Sequence, residues 1–375
     1  MSVIGNTTLQ FSEEQAMILD TAREFCRDKS PIEAVRAQLD SETGFDATIW
    51  QEMVALGWTG ISLPEAYGGS GLGVSSLVPV VECMGRAMLG TPLVSSALAG
   101  QLILRSGNSE QLDRLLPGIV EGAAATTATL ESGDWGATQI ACSLNDQLQL
   151  TGVKKFVADA VVVDSFVVSV MHQGAVALAV VGAEQLKPGA IQANTLIDET
   201  KRSASVDFDG VTVDANNLIA GDKVTSALRD VALLGALLTA AEAAGTTGAC
   251  LDTVVEYLNT RKQFGNLIGS YQALKHPMVE ILTANDSARS FIYHAATLVS
   301  DETLDRDAEL ACRMAKAQAT DTLKYAGDRS VQFHGGMGFT YECNAQLYIR
   351  RAQWSQQQYG DAQHHRKRIA ALLLD

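Results

Sequence analysis

The hydrophobic period changes twice along this chain, and that constrains the fold more than any other feature of it. Up to about Glu121 apolar residues recur at helical spacing. From Ala123 they alternate with polar ones, and near Val224 the helical spacing returns and holds to the C-terminus. An α-helix repeats its face every 3.6 residues and a strand every 2, so one segment cannot serve as both. The chain therefore reads as a β-rich unit set between two helical ones.

In the first helical part, Ser12-x-x-Gln15 reads as a capping box ahead of a face of Ile18, Ala22 and Phe25. A second helix carries Ile49, Trp50, Met53 and Val54 and ends near Leu56-Gly57. Gly57 to Pro64-Glu65 and then Tyr67-Gly68-Gly69-Ser70-Gly71 form a loop of defined shape. Helical faces resume through Leu77, Val80, Val81 and Met84, and again through Leu102, Leu104 and Leu112. Within the β region, Leu148 with Leu150, Phe166 to Val170 and Val176 to Val181 read as strands. So do Val206-Asp207-Phe208 and Val211-Thr212-Val213, joined across Asp209-Gly210. In the last part Leu233, Leu237, Ala240, Ala244, Gly248, Leu251, Val255 and Leu258 hold one stripe of a long buried helix, where Gly245 and Gly248 admit a close neighbour. Further faces follow at Ile281, Ala284, Ala288 and Ile292, and at Ala311, Met314, Ala315 and Ala319.

Composition narrows the function. With 375 residues, two or three domains are expected. A net charge of −15, from 28 Lys+Arg against 43 Asp+Glu, argues against a general nucleic-acid or anionic-membrane binder. The most apolar run, Val231 to Ala241, is shorter than the ~20 residues that span a bilayer, so no membrane insertion is expected. Six scattered cysteines and no signal-peptide pattern point to a reduced, cytoplasmic setting. His364 and His365 are adjacent and diverge on a helix, so no metal site is expected.

Two stretches carry the functional signal. The first is Arg261-Lys262-Gln263-Phe264-Gly265, running through Ile268 and Gln272 to His276. The second is Gln332-Phe333-His334-Gly335-Gly336-Met337-Gly338-Phe339. An arginine beside a turn suits a pyrophosphate, because its planar fork holds two oxygens at once. Closely spaced glycines let backbone approach a large anion or flat ring. By themselves the stretches also fit a helix end and an interhelical turn.

Arg-x-Gln-Phe-Gly-x-x-Ile-x-x-x-Gln-x-x-x-His followed by Gln-x-x-Gly-Gly-x-Gly-Phe resembles the acyl-CoA dehydrogenase family of flavoproteins. The Gly57–Gly69 loop is similar to that family's Gly-Trp-x-x-Ile-x-x-Pro-Glu-x-x-Gly-Gly segment. The resemblance implies an α+β fold: an N-terminal all-α domain (1–122), a middle β-barrel or sandwich domain (123–222) and a C-terminal four-helix bundle (223–375). It implies FAD, and removal of two hydrogens from adjacent carbons of an acyl-CoA, in lipid metabolism. A carboxylate takes the α-proton and the β-hydrogen leaves as hydride. It also implies a homo- or heterotetramer, a dimer of dimers, that passes electrons to an electron-transfer flavoprotein or similar acceptor. In the family these motifs reach across a dimer interface to FAD held mainly by the neighbouring subunit; by position, Arg261 would contact its pyrophosphate, Gln263 and Phe264 the cofactor, and Gln272 and Gln332 the adenosine half, with Gly335 and Gly336 permitting close approach. Leu130, in a loose version of the Thr-Glu-Pro turn, would serve through its backbone. Phe156 and Val157 take the place of the Trp-Ile pair against the flavin, and Ala158 replaces the threonine that follows.

The catalytic carboxylate departs from the pattern. Tyr359 stands where many members carry a Glu near the C-terminus, and Gly235 stands where a smaller branch carries one. Two residues are candidates for a relocated base. Glu242 lies seven residues beyond Gly235 on the same helix face, and would otherwise be a buried carboxylate paired with a cation. Asp361 lies two residues beyond Tyr359, and would otherwise be a solvated loop acid. Alternatively the chain is a non-catalytic, FAD-contacting subunit of a heteromer, or a flavin oxidase. Ala236, Ala240, Ala241 and Ala244 fit either a roomy cavity or close helix packing; Arg350 and Arg351 read as exposed cations.

Overall fold

A computed structural model of the chain describes residues 13–135 and 139–374. Ser12, and with it the expected capping box to Gln15, lies outside the described residues. The N-terminal helices are α1 (Glu13–Lys29), α2 (Ile32–Ala37), α3 (Ala47–Ala55), α4 (Gly73–Arg86), α5 (Leu93–Ser106) and α6 (Ser109–Val120). Asn108 caps α6 in a reciprocal box with Gln111.

The strands follow: β1 (Ala125–Ala128), β2 (Ser143–Leu144), β3 (Leu150–Thr151), β4 (Val153–Ala158), β5 (Ser165–His172), β6 (Ala175–Gly182), β7 (Ile191–Ala193), β8 (Ser203–Asp207) and β9 (Leu218–Ala220). One six-stranded sheet runs β3-β2-β5-β6-β9 with β1 parallel to β5; a three-stranded sheet runs β4-β8-β7. Phe166, Val168 and Val170 of β5 pack toward β4 and β8, while Val167 joins the helical core. The near-continuous apolar run of β5 thus has a core on each face. Val211–Val213 do not pair with β8 as the Asp209-Gly210 turn suggests. Leu150 N–H donates to Val211 O at 2.8 Å and Val213 N–H to Leu148 O at 2.8 Å, so the segment lies along residues 148–150. The Asp209 carboxylate accepts from Gly152 N–H at 2.6 Å and holds the chain in that path.

Helix α7 (Lys223–Thr260) is followed by a hairpin of β10 (Lys262–Gln263) and β11 (Asn266–Leu267). Then come α8 (Gln272–Leu298), α9 (Arg306–His334), α10 (Ala345–Gln357) and α11 (Ala362–Leu374). Residues 233–247 of α7 are buried on every side rather than along one stripe, because α4, α5, α8, α9 and α10 surround it. By length and composition α7 could cross a bilayer, but here its apolar surface is packed inside the protein. The contact with α4 is backbone to backbone. A Cβ on Gly245 would lie 1.9 Å from Glu82 O, and one on Gly85 would lie 2.1 Å from Glu242 O. Ala236, Ala240, Ala241 and Ala244 are all buried in the same packing. The small residues of this helix therefore serve close helix contact.

Candidate functional site

The two motif stretches converge. Arg261, Gln263, Phe264, Gln332, Gly335 and Gly336 line one groove of about 970 Å³, floored by Tyr257, Tyr271 and Phe333. Local geometry produces it. Arg261 is the C-cap of α7, and the chain reverses at Phe264 and Gly265, whose φ values of 52° and 81° make the tight hairpin turn. Phe264 is 91% exposed at its tip. On the facing side α9 ends at His334, stacked on Tyr257 at 4.2 Å, and Gly335 leaves the helix with φ 61°. A Cβ at Gly335 or Gly336 would meet nothing within 4 Å, so both backbones are open to the groove. No carboxylate among the described residues pairs with Arg261. Gln272 starts α8, exposed and off the groove wall.

A guanidinium with no counter-ion among the described residues, open glycine backbone and aromatic lining fit the phosphate and flat-ring chemistry of a dinucleotide. The hairpin is not legible in the sequence, because each strand is only two residues long.

A second cavity, of about 70 Å³, lies where the middle sheet meets the helices. It is bounded by Ser95 of α5, Thr126 and Thr127 of β1, Ala158 and Asp159 at the end of β4, Lys201, Glu242 of α7, and Tyr359. The Tyr359 ring packs directly on Gly235: a Cβ there would fall 2.4 Å from Cζ. The two positions at which the family carries its base thus fill one another. Tyr359 is held with φ 56°, its ring 4.7 Å from that of Trp135.

Glu242 faces the cavity but is clamped. Its carboxylate accepts from Lys201 Nζ, and its Oε1 from Arg351 Nη1 at 2.9 Å. Burial acts to raise it, yet Lys201 and Arg351 together hold it below the usual carboxylate range. The exposed-cation reading of Arg351 is corrected: it is fully buried, bonded also to Asp198 and to the Thr200 hydroxyl. Burial is possible because its donors find carboxylates and a hydroxyl contributed by segments remote in sequence. Arg350 is partly covered and pairs with Glu199 at 2.7 Å. Asp361 is exposed and caps α11, accepting from His364 N–H at 2.7 Å; it does not line the cavity.

Of the strand-side residues, Leu130 O accepts from Lys155 N–H at 2.8 Å, Val157 is buried in the sheet core, and Phe156 is 42% exposed with φ 52°. Glu131 ties the turn, accepting from Ala141 N–H at 2.7 Å, Cys142 N–H at 2.9 Å and the buried Lys154 Nζ at 2.6 Å.

Residues 12–123 match the "Acyl-CoA dehydrogenase, N-terminal domain" profile and residues 229–374 the "Acyl-CoA dehydrogenase, C-terminal domain" profile. The chain is 30% identical to "Acyl-CoA dehydrogenase IpdE2" of Mycolicibacterium smegmatis, over 96% of this chain and 99% of that one. It belongs to the acyl-CoA dehydrogenase family. Family membership makes it an oxidoreductase of the acyl-CoA dehydrogenase type, with FAD as cofactor. It is also 26% identical to "Caffeyl-CoA reductase-Etf complex subunit CarC" of Acetobacterium woodii, covering 91% of this chain and 93% of the other. Among solved structures, a variant of the "Tcur3481-Tcur3483 steroid ACAD" superposes with a TM-score of 0.82 at 26% identity, covering 96% and 98% of the two chains. The α/β/α architecture described above is that of the family.

Glu242, expected either as a base or as a buried carboxylate paired with a cation, is found in the second role. Asp159 and the cluster members Lys201 and Asp198 are not among the expected site residues. Asp159 does carry a signal, an acid directly after the strand segment expected against the flavin; Lys201 and Asp198 carry none, being remote in sequence from Glu242 and Arg351.

Proposed function

We propose that this protein catalyses FAD-dependent α,β-dehydrogenation of an acyl-CoA thioester. The convergence of Arg261, Gln332, Gly335 and Gly336 on one open groove carries this reading. Arg261 would hold the pyrophosphate, Gln263 and Gln332 would offer hydrogen bonds, and Gly335 and Gly336 would admit the dinucleotide to their backbone. Phe264, with Met337, Phe339 and Tyr341, presents exposed apolar surface at the same end, suited to cover by a second subunit. Bound FAD supplies the two-electron acceptor. An electron-transfer flavoprotein is the natural onward acceptor, in keeping with the relative named as part of an Etf complex.

The test is a visible spectrum of the purified protein, followed by anaerobic titration with acyl-CoA esters. A flavin spectrum that bleaches on titration is expected. Protein that takes up no flavin from excess FAD would refute the assignment.

One observation favours a second reading, a non-catalytic subunit that lends Arg261 and the glycine turn to a sister chain's FAD. The Tyr359 ring occupies the space over Gly235, so neither usual base location can act. The steroid enzyme above carries a double name, Tcur3481-Tcur3483. Bleaching that appears only after co-expression with a neighbouring family member would select this reading.

A further inference from the structure

We propose that Asp159 is the group that removes the substrate's α-proton, with Ser95 as its positioning residue. The proposal rests on the dehydrogenase reading above and assigns its missing base. Among the described residues, two carboxylates line the cavity, Asp159 and Glu242. Glu242 is neutralised by two cations and has little basicity left. Among the described residues Asp159 has no cation within bonding distance. Its Oδ2 accepts from the Ser95 hydroxyl, and Oδ1 has no partner among them.

The backbone fixes where this carboxylate points. Asp159 directly follows β4, takes the left-handed conformation with φ 55°, donates its N–H to Arg202 O at 3.1 Å and accepts from Val162 N–H at 2.9 Å. Aspartate tolerates that conformation better than most residues, so the cost is modest. The residue directly follows Phe156-Val157-Ala158, the segment expected beside the flavin. It lines the cavity together with Ser95 of α5, Glu242 of α7 and Tyr359, the residue that stands at the family's usual base position.

Its acidity suits the task. Burial raises the carboxyl to about 6; the Ser95 bond, Lys201 and Arg202 oppose the rise and Glu242 adds to it. The groups facing it are Ser95 from α5, Lys201 and Arg202 from the segment before β8, Glu242 from α7, and Tyr359 from the α10–α11 loop. A base ionised just below neutral pH is close to optimal for proton abstraction at pH 7.

In the proposed step the Cα–H bond breaks. Its proton goes to Oδ1 of Asp159, and its electron pair stays on the thioester as an enolate. Formation of the double bond would then release the Cβ hydrogen with its electron pair, and bound FAD would supply the two-electron acceptor. The proton on Asp159 passes to solvent before the next turnover.

Proton removal can be measured without turnover. A 3-thia-acyl-CoA has sulfur at the β-position and cannot give up hydride, but its α-hydrogens exchange with D2O if a base attacks them. Mass spectrometry of this analogue, incubated with the FAD-loaded protein, should show exchange for the wild type. Asp159→Asn should cut it at least 100-fold, within the usual contribution of a general base, while flavin content and analogue affinity stay within about threefold. Ser95→Ala should move the pH midpoint of exchange upward from about 6, because the bond that favours the carboxylate is gone; a merely structural serine would leave it in place. Full exchange by Asp159→Asn in a protein that still bleaches with acyl-CoA overturns the inference and spares the dehydrogenase reading. So does loss of exchange in Glu242→Gln or Asp361→Asn with Asp159→Asn unaffected. A wild type that neither binds flavin nor exchanges overturns both. If Asp159→Asn does not fold, an unchanged pH midpoint in Ser95→Ala decides against the proposal.

Discussion

Replacing Arg351 by Met tests the charged cluster beneath the cavity. Arg351 is wholly buried, and its guanidinium joins Asp198, Glu242 and Thr200, so it ties α10 to α7 and to the segment before β8. Met fills similar volume, and the expected loss is therefore electrostatic. Removing one partner of a buried ion pair leaves an uncompensated charge and costs about 3–5 kcal/mol. Glu242 keeps Lys201, and Asp198 keeps Thr200, whose N–H donates at 3.0 Å and hydroxyl at 2.6 Å. The lower end, about 3 kcal/mol at pH 7, is the expectation.

The pH dependence has a definite sign. In the wild type Glu242 is held below its ordinary pKa, so its pairing stabilises the fold above the unfolded carboxylate pKa and is lost as pH falls. In Arg351→Met the Glu242 carboxylate lies buried without that cation, its pKa rises, and protonation relieves the penalty. The stability gap should therefore be widest at pH 7–8 and narrow toward pH 5. Urea unfolding at matched protomer concentration reads it as a shift in midpoint. The triple variant Arg351→Met/Glu242→Gln/Asp198→Asn should recover more than half of the loss. A deficit under about 1 kcal/mol, or one that does not vary with pH, would refute the buried-pair account.

Three further outcomes are expected. Arg261→Ala should weaken FAD binding by at least tenfold, the scale of one charge-assisted hydrogen bond, seen as a lower flavin-to-protein absorbance ratio; unchanged flavin content counts against the groove. Lys316 is fully buried, donating to Gly360 O at 2.9 Å, and burial lowers it to about 7. The unfolded chain then binds more protons between pH 7 and 10, so stability rises with pH across that window; Lys316→Met should flatten the rise in thermal scans. Gly235→Glu alone should give no gain in acyl-CoA dehydrogenation and a loss of stability, because the Tyr359 ring holds the space. Gly235→Glu/Tyr359→Ala should restore stability relative to the single variant, and equal melting temperatures would contradict the packing.

Period and motif carry far in this sequence because they are local. The switch from helical to alternating spacing locates the β region, since each element must turn its own apolar residues toward a core. The glycines and Arg261 are legible because turn and phosphate chemistry require those residue types within a few positions. The hairpin at 262–267, the course of Val211–Val213 and the burial of Arg351 were not legible, each resting on partners brought close only by folding. Ser95 meets Asp159 across 64 residues, and Arg351 meets Glu242 across 109. A sequence records that an acid is present. Whether it is clamped by cations, like Glu242, turned to solvent, like Asp361, or left with a serine hydroxyl in a cavity wall, like Asp159, depends on dielectric and neighbours that exist only in the tertiary structure.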